Sequence, residues 1–123
     1  MRRLHRASVV GASAAALLLG FAGSASAGVT NTSSVEGGYA IFQDYGDKFV
    51  VCDTALDGWS VYVTYTYIRK DGTEQRGTHY NTAGNDTCRT FDHDFGEGRT
   101  VNFRACLDWW LPDLCDDWRT GVA

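Results

Sequence analysis

Trp59-Ser60-Val61-Tyr62-Val63-Thr64-Tyr65-Thr66-Tyr67-Ile68 is the stretch that decides the fold. Trp59, Val61, Val63, Tyr65 and Tyr67 fall on one side of an extended chain, and Ser60, Tyr62, Thr64 and Thr66 on the other. Aromatic and β-branched residues at period two suit a pleated, half-buried surface. The run stops at Arg69-Lys70-Asp71-Gly72, where the Asp-Gly pair predicts a two-residue hairpin turn and a return strand from Thr73 to about Tyr80.

The same grammar extends both ways. Upstream, Tyr39-Ala40-Ile41-Phe42 and Lys48-Phe49-Val50-Val51-Cys52 are β-prone runs around Asp44-Tyr45-Gly46-Asp47, a composition that predicts a hairpin. Downstream, Thr87 to Phe95 reads as a polar strand or irregular crossing. From Thr100 to Leu107 alternation returns, with Val101, Phe103, Ala105 and Leu107 on one side. Asp116 to Val122 makes a last strand carrying Trp118, Thr120 and Val122. Pro112 falls in a connector, and no stretch of the mature chain holds a helical apolar stripe. About seven short strands with turns at intervals near ten residues predict an all-β fold, a small antiparallel β-sandwich in preference to a small barrel.

Residues 1–27 read as a secretory signal peptide. Arg2, Arg3 and Arg6 form the charged n-region, Val9 to Phe21 the apolar core, and Ala25-Ser26-Ala27 a small-x-small cleavage site. A membrane-spanning helix wants about 20 strongly apolar residues, more than this Ala- and Ser-rich core supplies. Arg2-Arg3 lacks the flanking residues of a twin-arginine signal, and no cysteine stands at the junction to carry lipid. The expected product is secreted, extracellular and free of the membrane after cleavage. Residues 28–38, polar and rich in Ser, Thr and Gly, read as a flexible leader, and residues 39–123 as a single domain.

Cleavage of 27 residues from 123 leaves 96, a chain whose core gives a thin stability margin. Its four cysteines, Cys52, Cys88, Cys106 and Cys115, are an even set in an exported domain and point to two disulfides. Of three pairings, Cys52 with Cys88 and Cys106 with Cys115 is favoured, because the second pair brackets a short segment able to close locally. Such bridges contribute on the order of 3 to 4 kcal/mol each. No two cysteines are spaced for a zinc knuckle, so no metal site and no cofactor is expected.

Losing three arginines leaves 8 basic residues against 15 acidic ones. That balance argues against nucleic acid and anionic membranes as partners. No catalytic residues stand out either. Ser33 and Ser34 lie in the leader, Ser60 lies in a strand, and no Gly-x-Ser-x-Gly elbow is present. In Asp92-His93-Asp94 the two carboxylates share one strand face and the imidazole takes the other, which predicts a solvated polar strand. Glu36, Glu74 and Glu97 show no paired-carboxylate spacing. Asp113, Asp116 and Asp117 read as solvated turn charges, and Ala55 occupies a position where an EF-hand loop needs an oxygen ligand.

Arg99-Thr100-Val101-Asn102-Phe103-Arg104-Ala105-Cys106 followed by Cys115-Asp116-Asp117-Trp118 resembles the last hairpin of fibronectin type III and immunoglobulin-like sandwiches. The resemblance implies architecture only. Arg104 stands two before Cys106 where that family has Tyr, and Trp59 follows Cys52 by only seven positions. With its Ala-rich leader, Tyr45-Gly46-Asp47-Lys48-Phe49-Val50-Val51-Cys52-Asp53 and C-terminal cysteine pair, the chain also resembles small secreted actinobacterial proteins of unassigned role. That resemblance implies an extracellular bacterial protein.

The remaining feature is Trp109-Trp110, inside the segment between Cys106 and Cys115. Two large rings on a closed loop offer contact area at low entropic cost. The expectation is a non-enzymatic, monomeric binding module whose ligand-binding residues are Trp109 and Trp110, with an extracellular protein or polysaccharide as partner. An inhibitor of an extracellular enzyme and a carbohydrate-binding module are the alternatives. Intact-mass mapping of the unreduced secreted chain should find Gly28 at the N-terminus and all four cysteines oxidised. A start at Met1, or any free thiol, overturns this reading.

Overall fold

The computed structural model describes residues 28–123, so the predicted signal peptide lies outside the described residues. Nine strands follow one another: β1 (Asn31–Val35), β2 (Gly38–Gln43), β3 (Lys48–Asp53), β4 (Ser60–Ile68), β5 (Glu74–Asn81), β6 (Thr87–Asp92), β7 (Thr100–Asp108), β8 (Leu114–Cys115) and β9 (Arg119–Val122). All pairings are antiparallel, in two sheets ordered β1-β2-β3-β6 and β5-β4-β7, with β8 and β9 sharing the free side of β7. This is the predicted β-sandwich, with nine strands where about seven were expected from turn spacing. No helix among the described residues is long and apolar enough to cross a membrane.

Period two explains which face of each strand is buried. Val61, Val63, Tyr65 and Tyr67 of β4 join Val101, Phe103, Ala105 and Leu107 of β7, facing Ala40, Phe42, Phe49 and Val51 of the other sheet. Phe49 is central: its ring lies 5.4 Å from Phe42, 5.1 Å from Tyr65 and 5.7 Å from Phe103, so it touches both sheets. Two glycines make room for these rings. A Cβ at Gly77 would overlap the ring of Tyr65, and one at Gly121 the ring of Phe42.

Three features depart from the sequence reading or refine it. Residues 28–38 are not a leader throughout, since β1 pairs with β2 along its whole length, turning through Glu36 and Gly37 with Gly37 at φ +83°. Ser33 gives the physical reason. It is fully buried, its Oγ accepts from Ala105 N at 2.8 Å and donates to Asp116 Oδ2 at 2.8 Å. Ala105 sits where β7 has lost its neighbour between β8 and β9, so β1 supplies from the opposite sheet the acceptor that the ladder lacks.

The second departure is the β4–β5 turn. Ile68 pairs with Glu74, Arg69 N donates to Thr73 O, and only Gly72 has positive φ, at +87°. Three residues, not two, therefore make the loop. A three-residue loop ending in a left-handed glycine is the next commonest hairpin after the two-residue turn.

The refinement concerns the cysteines. Cys52–Cys88 and Cys106–Cys115 both form, a pairing compatible with an extracellular protein. Each joins directly opposed residues of neighbouring strands, β3 with β6 and β7 with β8. Alternation puts them on the outer faces of their own sheets, away from the Phe49 core. Neither bridges the two sheets as an immunoglobulin disulfide does.

Truncating Phe49 to Ala removes a fully buried ring from the sheet interface. Urea denaturation of Phe49→Ala should show a loss of about 3 to 5 kcal/mol. A loss under about 1 kcal/mol overturns the assignment of Phe49 as the centre of the core.

Candidate functional site

At one end of the sandwich the register gathers four connections. Gly38 lies opposite Asp53, Val61 opposite Asn81, and Ser60 opposite Asp108. The β1–β2 turn and the loops 54–59, 82–86 and 109–113 therefore share one rim. Trp59 enters from the second of these. Asp57 Oδ1 accepts from Trp59 N at 2.9 Å, Gly58 takes φ +76°, and the indole packs half-buried against the core.

Trp109 and Trp110 lean on that indole, with centroids 5.7 Å and 5.4 Å from it. They remain open to solvent, Trp109 by 40% and Trp110 by 68%. The same rim exposes Leu56, on loop 54–59, by 91% and Leu111, on loop 109–113, by 94%. The result is a rim with several exposed apolar side chains on a small domain, a kind of surface that marks interaction sites.

The loop bearing Trp109 and Trp110 is tied at both ends. The Cys106–Cys115 disulfide closes a segment of sequence separation 9, and Tyr62 Oη donates to Asp113 Oδ2 at 2.6 Å. Burial, and after it the hydrogen bond to Asp113, holds the Tyr62 hydroxyl well above the usual tyrosine range. Tyr80 packs its ring 4.7 Å from Tyr62. A cleft of about 250 Å³ opens beside Trp59, between the loops that carry Leu56 and Asn85, and the Oδ1 of Asn85 is buried without a partner.

Comparison with protein-family models, curated proteins and solved structures finds no match to this chain. Function has to be read from the groups themselves.

The predicted residues Trp109 and Trp110 both pack on Trp59, which alternation assigned to the core face alone. Its place immediately before β4, next to the Asp57-Gly58 pair of the loop, is the signal for that second role. The rings are tilted 39° and 61° from Trp59, so they form a ridge and no flat strip. Trp118 stands apart, its ring 4.6 Å from the Arg104 guanidinium carbon. Asp113, Asp116 and Asp117 do not converge: Asp113 serves Tyr62, and Asp116 accepts from Ser33, Ser34 and the fork of Arg119. Arg119 and these hydrogen bonds hold the Asp116 carboxyl far below the usual carboxylate range. No group of three His, Cys, Asp or Glu among the described residues could hold a metal ion.

In Asp92-His93-Asp94 both carboxylates are exposed and the imidazole turns inward. The expected polar face holds for Asp92 and Asp94. His93 instead meets His79 of β5 with Nε2 atoms 2.7 Å apart, a pair not visible in the sequence spacing. His79 stacks on Phe91 at 4.4 Å and His93 on Phe95 at 4.7 Å, with Phe49 and Tyr65 behind. One Nε2 donates and the other accepts, so the bond survives only while one of the two remains unprotonated. Burial lowers both pKa values, and the His79 charge lowers that of His93 further while Asp92 raises it.

Other charged groups lie near the pair. Lys48 and Asp92 form an ion pair at 3.8 Å on the strands beside it, and Asp47 O accepts from His93 N. The Asp47 carboxyl, only 6% exposed, is raised chiefly by burial and so favours the fold as it protonates. For the histidines the sign is opposite. A lowered folded pKa means the unfolded chain takes up protons first, so stability is full above the unfolded value near 6.5 and falls below it. The melting temperature should drop between about pH 7 and pH 5 in the wild type, and the drop should shrink in His79→Gln/His93→Gln. Equal slopes in the two proteins, with Asp47 present in both, overturn the assignment.

Proposed function

We propose that this chain is an exported, non-enzymatic interaction module that binds a macromolecular partner through Trp110, Trp109 and Trp59. The observation that carries the reading is the ridge itself: Trp109 and Trp110, on a loop closed by a disulfide, both pack on the indole of Trp59, and Trp110 stays 68% exposed. Large aromatic rings held rigidly dominate binding energy at protein interfaces, because little side-chain entropy is lost on contact. The absence of a flat aromatic strip removes the main support for a sugar-binding platform.

An inhibitor of an extracellular enzyme is the second reading. Leu111, 94% exposed beside the indoles and inside the Cys106–Cys115 loop, is the side chain such an inhibitor would insert into an enzyme pocket.

Immobilised mature chain presented with culture-supernatant proteins and polysaccharides should retain a partner, and Trp110→Ala should weaken retention by about 2 kcal/mol or more. Folding stability should move by less than about 0.5 kcal/mol, because the ring is largely outside the core. Retention unchanged by Trp110→Ala sinks the ridge as the contact site. Leu111→Ala separates the readings, as loss of enzyme inhibition with that variant favours the inhibitor.

A further inference from the structure

The aromatic rim carries charge of one sign. Its connections and adjoining strand ends expose Glu36, Asp57, Asp86 and Asp108, with Asp113 half-buried against Tyr62, while residues 49–68, 77–88 and 105–118 contain no Lys or Arg. The nearest basic residues along the strands, Arg89 and Arg104, lie inside β6 and β7, and Arg104 is already committed to the Trp118 ring. Elsewhere the signs are mixed. Arg69, Lys70 and Arg99 sit among Asp71, Asp94 and Glu97 around the opposite end, where Arg76 pairs with Glu74 and Lys48 with Asp92. Asp57, Asp86 and Asp108 make no ion pair among the described residues.

We infer that the partner of the tryptophan ridge is a cationic segment of another protein, in which Lys or Arg alternates with apolar side chains. The inference rests on the ridge being a contact surface, as proposed above. Indole faces attract guanidinium and ammonium groups, and carboxylates with no counter-cation of their own draw such groups in and hold them at the rim. Leu56 and Leu111 meet the apolar positions of the segment. A second copy of this chain is repelled, since its rim carries the same sign, and an anionic membrane surface is repelled for the same reason.

The test uses the mature disulfide-bonded chain and three fluorescein-labelled peptides of equal length and equal Leu and Trp content, carrying Arg, Gln or Glu at the remaining positions. Anisotropy is read at about 20 mM and about 300 mM salt, on either side of the physiological screening length. The Arg peptide should bind roughly tenfold tighter than the Gln peptide at low salt, with the Glu peptide weakest. In Asp57→Asn/Asp86→Asn/Asp108→Asn that preference should fall below about threefold, as it should at high salt. The Asn amide keeps the acceptor for Trp59 N and tolerates the positive φ of 60° at position 86, so the variant keeps its fold. Trp110→Ala should weaken the Arg and Gln peptides alike.

Equal affinity for Arg and Gln peptides overturns the cationic partner while leaving the ridge standing. Arg-peptide binding untouched by Trp110→Ala overturns the ridge itself. An Arg peptide that fails to bind at low salt, or a neutral polysaccharide held through Trp110 without salt dependence, also overturns the inference.

Discussion

Contact between two sheets across a single layer of aromatic rings is the constraint on which the molecule depends. Phe49 reaches Phe42 within its own sheet, Tyr65 and Phe103 across the gap, and His93 and Phe95 in the connection after β6. A domain this small has few side chains to spend on a core, and aromatic rings bury the most area per residue. The glycines at 77 and 121 follow from the same demand, because any side chain there would stand where Tyr65 and Phe42 must lie. With the rings inside, the open sides of the sandwich are closed by polar groups: Ser33 and Asp116 on one, Asn81 and the two histidines on the other.

The rim that carries the tryptophans inherits its geometry from this packing. Trp59 is half core and half surface, so the exposed indoles rest on a ring that cannot move without disturbing β4. Tyr62, on the outer face of the same strand, fixes Asp113 at the far end of the loop. One strand thus sets both the floor and the wall of the site. The loop between Cys106 and Cys115 is positioned by residues about fifty positions upstream, Trp59 at the entry to β4 and Tyr62 on it, whose side chains have opposite phase.

Where sequence and structure agree, the reason is local; where they part, the reason is register. Alternation along 59–68 and 100–107 was legible because each strand buries one face continuously. The Cys106–Cys115 loop and its indoles were legible because the chain closes on itself within ten residues. The histidine pair was not. A two-residue turn at Asp71-Gly72 would set His79 opposite Thr64, on the solvent face; the three-residue loop sets it opposite Val63, on the core face. One residue of turn length decides whether an imidazole meets water or another imidazole. Ser33 escaped for a related reason: its worth lies in an acceptor missing from a strand of the other sheet, seventy positions away.

The placement of the disulfides has a mechanical meaning. Each staples neighbouring strands within one sheet, so the only covalent links between the sheets among the described residues are the connecting loops of the backbone itself. Pulled along its strands, each sheet resists peeling at β6 and at β8. Pulled apart face from face, the two sheets separate as the leaves of a book do, by wetting the aromatic layer and parting the polar clasps at its sides, with both sulfur bridges intact. The sulfur bridges thus resist peeling of β6 from β3 and of β8 from β7, and add nothing against parting of the two sheets.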